Sequence, residues 1–259
     1  MNYWTQLSID FANQRDYLDE LFRVYPMVPD HRRAIAEDKW KKVESSFQKR
    51  NQVQLVEQLL NFELFPIKDS YVAYLKRDHT AIERNPKTVS RLAGRLFEMG
   101  LDEVWKRCTE PKETNRQIGP LFQRWIRQES LGVPLLSIDE FVQSDQNAVL
   151  SGGDEELKSF ATQHLNYHEP KGLDLVARFN GHFVLGESKF LTDFGGHQNA
   201  QFNDAIKLVE NEDVKAVTVA ILDGVIYIPN KGKMYTHLDD HPEQHIMSAL
   251  VLREFLYSL

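Results

Sequence analysis

Three polar residues stand near the open end of a segment that otherwise reads as a buried hairpin. In GLDLVARFNGHFVLGESK, Asp174 and Glu187 flank two runs of strand-forming residues, and Lys189 follows two positions later. The Asn-Gly dipeptide at 180–181 between the runs is typical of a two-residue hairpin turn. In the register of such a turn, residues whose numbers add up to 361 face each other. We therefore expect the two carboxylates to be cross-strand partners.

Two carboxylates in this position repel each other unless a cation lies beside them. Directly opposed residues of a hairpin have Cβ atoms about 5 Å apart, where like charges destabilise the pair. The pleat places Lys189 on the same face as Glu187. A divalent cation fits the carboxylates better than the lysine alone, because Mg²⁺ takes oxygen ligands and typically uses one or two carboxylates. With Asp174 and Glu187 as metal ligands, the lysine is left to assist an attacking water in phosphodiester hydrolysis, which makes all three residues catalytic candidates.

The triplet resembles the signature of the PD-(D/E)xK nuclease superfamily. Asp174, twelve further residues and then Glu187-Ser188-Lys189 match its pattern, although Leu173 stands where the superfamily has proline. The segments FPIKDSYVAYL, NPKTVSRLAGRLFEMG, EPKETNRQIGPLF and ESKFLTDFGGHQNAQF also resemble type II restriction endonucleases. The resemblance implies a Mg²⁺-dependent enzyme that cuts both strands of a short specific sequence in double-stranded DNA.

The same resemblance suggests partners. A palindromic target is matched by a two-fold axis in the protein, so a homodimer is expected. A cognate DNA methyltransferase is expected as a functional partner in a restriction-modification system. Three alternatives stay open: a repair or junction-resolving nuclease with the same triad, a non-catalytic DNA-binding protein with a decayed site, and a solvent-facing ion pair of little energetic value.

Accessory residues are expected on both sides of the hairpin. Gln198 and Gln201 lie one helical turn apart behind a Gly-Gly pair, a spacing suited to positioning a water or touching DNA, and equally to a polar helix face. Glu155 and Glu156 open the preceding helix. The resemblance implies a further metal carboxylate there, but acidic residues in a first turn usually interact favourably with the helix dipole.

Base reading is assigned to the segment KETNRQ. Asparagine and glutamine can bind adenine bidentately and arginine can bind guanine, whereas a polar surface loop is the competing interpretation. The residues expected to contact DNA are Lys112, Asn115, Arg116, Gln117, His197, Lys87 and Arg91.

The hydrophobic pattern predicts an α/β (α+β) fold in two parts. Residues 1–150 form a mainly helical region, a candidate for DNA recognition and dimerisation, and residues 151–259 form the catalytic core, a mixed β-sheet of αββαββ order flanked by helices. A second hairpin turn is expected at Asp223-Gly224. The expected core elements are a helix to about 165, strands 173–179 and 182–190, a helix 198–210, strands 214–222 and 225–229, and a closing helix 242–259.

Composition excludes several classes of protein. The 259 residues include one cysteine, Cys108, which rules out internal disulfides and Cys-based zinc clusters. The chain lacks an apolar span of about 20 residues, so we expect a cytoplasmic enzyme without a membrane partner. A net charge of -7 argues at first against DNA, but residues 1–150 hold 22 basic and 22 acidic residues, whereas residues 151–259 hold 9 and 16. The acidity therefore lies in the part that would hold the metal.

Overall fold

The computed structural model describes residues 1–26, 32–111, 117–230 and 232–259. It is a mixed α/β structure, which confirms the expected fold class. The helices of the described residues are α1 Tyr3–Gln14, α2 Tyr17–Val24, α3 Glu37–Gln48, α4 Gln52–Leu60, α5 Ser70–Arg77, α6 Ala81–Arg84, α7 Pro86–Met99, α8 Leu101–Cys108, α9 Ile118–Arg127, α10 Ile138–Gln143, α11 Asp154–His164, α12 Gly196–Val209, α13 Lys233–Asp240 and α14 Ala249–Ser258.

A six-stranded mixed sheet carries the hairpin. Its strands neighbour one another in chain order. The strands are β1 Leu135–Leu136, β2 Ala148–Leu150, β3 Leu175–Phe179, β4 His182–Leu191, β5 Val217–Gly224 and β6 His245–Met247. The pairs β2–β3 and β3–β4 are antiparallel, and the pairs β1–β2, β4–β5 and β5–β6 are parallel. Strand β4 therefore has an antiparallel neighbour on one side and a parallel neighbour on the other.

The β3–β4 hairpin has the register that its turn predicts. Phe179 pairs with His182 at the closed end, and Leu175 pairs with Gly186 at the open end. Asn180 and Gly181 have φ angles of 50° and 83°. Both angles are positive, as the two-residue type I′ turn requires. All five residues of β3 are buried, so a slip of one position would exchange its two faces and is strongly disfavoured.

The prediction of a second hairpin turn at Asp223-Gly224 is wrong. Both residues belong to β5, where they pair with Phe190 and Leu191. A 3₁₀ helix, Val225–Tyr227, follows in place of the expected strand 225–229. The reason is that both neighbours of β5 are parallel strands, so the chain must leave the sheet before it returns. It returns through α13 to β6, and the closing helix begins at Ala249 instead of 242.

Two compact units make up the chain, and their limits differ from the boundary expected near residue 150. One unit contains residues 1–27 and 114–259, and the other contains residues 28–113. Residues 135–150 belong to the sheet unit because β1 and β2 are strands of the sheet. The first helix belongs there too, since Thr5 donates a hydrogen bond to the Ile246 carbonyl at 2.7 Å. We call residues 28–113 the helical unit. Its core is centred on α4 and α7, where Leu55, Leu59 and Leu92 are fully buried.

A buried carboxylate fixes the end of β5 beside the hairpin. Asp223 accepts hydrogen bonds from the hydroxyls of Tyr17 (3.1 Å), Tyr25 (2.9 Å) and Ser248, and from the Ala249 N–H at 3.3 Å. Burial raises the pKa of Asp223, and these hydrogen bonds oppose the shift. The network ties α2 and α14 to the strand that supports β4. This matters for the site because Leu222, one residue earlier, pairs with Lys189.

Two glycines with positive φ make a matched test of the sheet. A Cβ at Gly224 (φ 96°) would lie 2.0 Å from the Leu191 carbonyl oxygen, whereas a Cβ at Gly181 (φ 83°) would meet nothing within 4 Å. We expect Gly224→Ala to lower the free energy of unfolding by about 3–5 kcal/mol through strain and a backbone clash. Gly181→Ala should cost about 1–2 kcal/mol through strain alone. Urea unfolding followed by circular dichroism measures both, and equal losses would contradict the close approach of β4 and β5.

Candidate active site

Asp174 directly precedes Leu175, the first residue of β3, at the open end of the hairpin. Its N–H donates to the Gly186 carbonyl at 3.1 Å, so the ladder ends at the Leu175–Gly186 pair and Asp174 is not paired directly with Glu187. Its carboxylate Oδ2 instead accepts the backbone N–H of Ser188 at 2.8 Å. The expected register is therefore correct, but the aspartate turns toward the backbone of Ser188, within β4.

The three expected catalytic side chains meet at this end of the hairpin. The Lys189 ammonium contacts Oε1 of Glu187 and lies 3.9 Å from Oδ2 of Asp174. It also donates to the Ser188 carbonyl at 2.9 Å. The Glu187 side chain is only 5% exposed. A solvent-facing ion pair therefore does not describe the group, because the carboxylate at its centre is buried.

Two residues that the sequence did not single out complete the cluster. The Lys171 ammonium lies 2.6 Å from Oε1 of Glu187 and 3.5 Å from Oδ2 of Asp204 on α12. Burial lowers the pKa of Lys171, but the hydrogen bond and charge of Glu187, together with Asp204 and Asp174, outweigh this and raise it. Gln123 on α9 donates its side-chain N–H to the Asp174 carbonyl at 2.6 Å. Lys171 lies in an irregular segment, and Gln123 is one polar position of an amphipathic helix, so no pattern in the sequence distinguished either residue.

The electrostatics of the site favour additional positive charge. The pKa of Asp174 is raised to about 6, first by burial and then by the charge of Glu187, while Lys189 and the Ser188 N–H oppose the rise. Its ionised form is thus under-compensated by the side chains present. A cation placed beside Asp174 would lower this pKa again.

The donor set fits Mg²⁺. Among the described residues, no group of three or more His, Cys, Asp or Glu side chains is placed to hold a metal ion. Mg²⁺ does not need such a group, because it is usually held by one or two carboxylates and completes its shell with waters and substrate phosphate. Asp174 and Glu187 supply two hard oxygen ligands, and the Ser188 carbonyl is a third oxygen beside them.

Comparison with known proteins settles the family. The model of the Tsp45I type II restriction enzyme family matches residues 2–259, which is nearly the whole chain. The chain belongs to this family. Its membership confirms the resemblance to type II restriction endonucleases and identifies a site-specific endonuclease of a restriction-modification system whose substrate is DNA. Searches among curated proteins and among solved structures each found no match.

In this member of the Tsp45I family, the first turn of α11 places Asp154, not its neighbours, beside Asp174. The charge of Asp154 contributes to the raised pKa of Asp174, and its carbonyl accepts the Leu173 N–H at 3.4 Å. Glu156 accepts the Gly153 N–H at 2.7 Å and so caps its own helix. Glu155 is exposed and lies 3.9 Å from Lys158. An accessory metal role for Glu155 or Glu156 stays a prediction.

The two glutamines of α12 have different surroundings. Gln198 is buried, and its Oε1 accepts the Thr192 N–H at 3.1 Å, which fixes the loop between β4 and α12. Gln201 is half-buried, and its amide nitrogen lies 3.3 Å from Nε2 of His197. An accessory role of Gln198 and Gln201 in positioning a water or touching DNA, and contact of His197 with DNA, stay predictions. The observed bond gives Gln198 a structural role as well.

The expected DNA contacts are distributed over both units. Lys112, Asn115 and Arg116 lie outside the described residues, and Gln117 precedes α9 as its N-cap. In the helical unit, Lys87 is exposed in the first turn of α7, and Arg91 pairs with Asp69 at 2.6 Å. Their binding to DNA stays a prediction. None of the helices in the described parts of the chain has the length and apolar character needed to span a membrane.

Removing the charge of Asp174 should stabilise the metal-free enzyme. A folded-state pKa of about 6, above the unfolded value of about 3.9, means that protonation stabilises the fold fully below about pH 4 and that this contribution is lost as pH rises through about 6. Asp174→Asn should therefore raise the free energy of unfolding by about 1–3 kcal/mol at pH 7.5. Urea unfolding in EDTA measures the gain, which should shrink at pH 5; a loss of stability at both pH values would contradict it.

Lys171 should stabilise the metal-free site through Glu187. Because its ammonium is partly exposed, we expect Lys171→Gln to lower the free energy of unfolding by about 1–2 kcal/mol. The matched control is Lys207→Gln, since Lys207 lies 4.0 Å from Asp204, whereas the ammonium groups paired with Glu187 are those of Lys171 and Lys189. This substitution should cost less than about 0.5 kcal/mol. Equal effects of the two substitutions in thermal unfolding would show that the Glu187 contact contributes nothing.

Proposed function

We propose that the chain hydrolyses phosphodiester bonds in both strands of a short specific sequence in double-stranded DNA, with Mg²⁺ as cofactor. The observation that carries the proposal is the meeting of Asp174, Glu187 and Lys189 at the buried end of one hairpin. Membership of the Tsp45I family supplies the DNA substrate and the site specificity. The triad supplies groups that suit cleavage of a phosphate ester.

The triad divides into two metal ligands and one ammonium group that acts on the water and the phosphate. Asp174 and Glu187 would hold the cation, with the Ser188 carbonyl beside them. When bound, Mg²⁺ supplies Lewis-acid polarisation of the phosphate and acidifies a water molecule. Lys189 is placed to orient the attacking water and to stabilise the negative charge that develops on the phosphate in the transition state. The Ser188 N–H, 2.8 Å from the Asp174 carboxylate, keeps this group beside β4.

The ammonium groups of Lys171 and Lys189 neutralise Glu187 while no cation is bound. Glu187 has two ammonium partners on the same oxygen, Lys171 and Lys189. Both partners would have to yield some of that contact when Glu187 binds the metal. Lys171 has a second carboxylate within reach, Asp204 at 3.5 Å, and can move toward it. With Glu187 bound to the cation, the Lys189 ammonium would be available to the attacking water and the phosphate.

Assembly and partners follow from the kind of target. A palindromic or nearly palindromic sequence presents two equivalent strands, and a two-fold homodimer would place one active site on each. We also propose that the enzyme acts in the cytoplasm together with a DNA methyltransferase that protects the host sequence. The family match favours this function over a repair or junction-resolving nuclease and over a non-catalytic DNA-binding protein.

Cleavage of plasmid DNA tests the proposal. With Mg²⁺ we expect discrete fragments on a gel, with EDTA none, and sequencing of the fragment ends gives the recognition site. Glu187→Ala and Lys189→Ala should each reduce the cleavage rate at least about 100-fold, because each removes a group that acts on the transition state. The matched controls are Glu254→Ala and Lys207→Ala, both exposed residues of the same unit, which should cut like the wild type.

The outcomes separate the competing functions. Full activity of the Glu187 or Lys189 variant, with an unchanged circular dichroism spectrum, would remove that residue from the mechanism. A smear or a preference for branched DNA would favour the repair or junction-resolving nuclease. DNA that is bound but uncut with Mg²⁺ present would favour the non-catalytic protein.

A further inference from the structure

The helical unit contains a cavity that the hydrolytic site does not use. Its volume is about 460 Å³. It lies among α5, α6 and α7, and the residues that line it are Tyr71, Tyr74, Leu75, Arg84, Asn85 and Thr88. We call this surface, together with the adjacent Arg91, the tyrosine face. All of these residues belong to one compact unit.

Two aromatic rings of the tyrosine face are unusually exposed. Tyr71 is 62% exposed and Tyr74 is 61% exposed. They are three residues apart on α5, so they are neighbours on one side of that helix. Large aromatic side chains contribute strongly to interfaces because they bury much area and carry a polar end. Two of them side by side on an outer helix surface therefore indicate a binding surface.

Two arginines lie beside the rings, Arg84 in the lining of the cavity and Arg91 against Tyr71, in a basic part of the chain. Residues 68–95 hold seven Lys and Arg against three Asp and Glu, although the whole chain has a net charge of -7. The Arg91 guanidinium lies 5.7 Å from the centre of the Tyr71 ring. This local excess of positive charge is the electrostatic footprint expected for a polyanion, and it occurs in a protein whose substrate is DNA.

The arginines can still engage a phosphate. Arg84 pairs with Asp78 at 2.5 Å and Arg91 pairs with Asp69 at 2.6 Å. Both guanidinium groups are exposed, and exposed ion pairs have little net energy. A guanidinium also has five N–H donors, more than one carboxylate uses. The existing ion pairs therefore orient the two guanidinium groups and leave N–H donors available for a phosphate.

The chemistry favours the DNA backbone over the bases as the ligand. Reading of adenine by Asn85 would need both ends of its amide. The Asn85 amide nitrogen donates one of its two N–H groups to the Ala81 carbonyl of α6 at 2.7 Å, so the helix and not a base sets the orientation of the amide. Exposed tyrosine rings and guanidinium groups, by contrast, suit deoxyribose and phosphate, which every sequence presents.

We propose that the tyrosine face binds the sugar–phosphate backbone of double-stranded DNA. Arg84 and Arg91 pair with phosphates, and the rings of Tyr71 and Tyr74 pack against deoxyribose. The assignment rests on the proposed function for its substrate and adds the surface by which the helical unit holds it. Because backbone contacts carry no base information, this surface sets affinity and leaves sequence choice to other residues.

Binding to mixed-sequence DNA tests the assignment. The parent is the Glu187→Ala protein, which removes cleavage, and the probe is a fluorescent 30-base-pair duplex of mixed sequence, followed by anisotropy at several salt concentrations between about 50 and 200 mM. Tyr71→Ala with Tyr74→Ala should weaken binding about 5- to 10-fold. Arg84→Gln with Arg91→Gln should weaken it about 10-fold at low salt and reduce the slope of log K against log salt by about 2, one for each phosphate contact.

The controls match exposure and charge. Arg23→Gln with Arg107→Gln removes two exposed, carboxylate-paired arginines elsewhere, and Tyr3→Ala removes an exposed ring of α1; these variants should bind like the parent. Parent-like binding by both tyrosine-face variants, with intact wild-type cleavage, would overturn this assignment alone. A loss confined to one recognition sequence would overturn the backbone contact. A wild-type protein that neither binds nor cuts DNA would overturn the proposed function as well.

Discussion

Two carboxylates buried beside each other must be neutralised, and the structure around the hairpin is organised by that requirement. Glu187 is in contact with two ammonium groups, from Lys171 and Lys189. Asp174 has the weaker compensation, one ammonium at 3.9 Å and one backbone N–H, and its pKa is accordingly raised to about 6. The asymmetry matters chemically. A site that leaves one acid short of positive charge retains a driving force for binding a cation, whereas a fully compensated pair would have none.

Such a site is stable only because the rest of the sheet holds it in place. Strand β4 is paired on both sides, so the ends of its ladders cannot fray independently. The Asp223 network fixes β5 to two helices. Gln123 and Gln198 bind the backbone at Asp174 and at Thr192, on either side of the acidic pair and Lys189. The favourable contacts of the hydrophobic core and of these hydrogen bonds offset the electrostatic cost of the acidic pair, as is common where function needs a locally unfavourable arrangement.

The hairpin was predictable from the sequence, whereas its surroundings were not. Asn180-Gly181 specifies turn and register together, since a two-residue turn with positive φ angles leaves one pairing of the flanking strands. The same kind of dipeptide at Asp223-Gly224 led to the wrong prediction of a second hairpin. A turn signal does not reveal that the strands beside β5 are parallel to it. Lys171 reaches Glu187 from an irregular segment, where no periodicity applies. The division into residues 1–27 with 114–259 and residues 28–113 could not be predicted either, because strand pairing, which joins β2 to β3, leaves little trace in local composition.

An enzyme that holds a metal ion with carboxylates and binds DNA needs negative charge at one place and positive charge at another. In this chain the two kinds of charge are concentrated in different units. The carboxylates that would hold Mg²⁺ repel the phosphates of the substrate, and residues 151–259 have seven more acidic than basic residues. Attraction for DNA must then come from elsewhere, because affinity for a polyanion depends on the number of phosphates that are neutralised. The helical unit can supply it, with a net excess of four positive charges in residues 68–95. Net charge over the whole chain conceals this division, so a total of -7 says nothing against a DNA substrate.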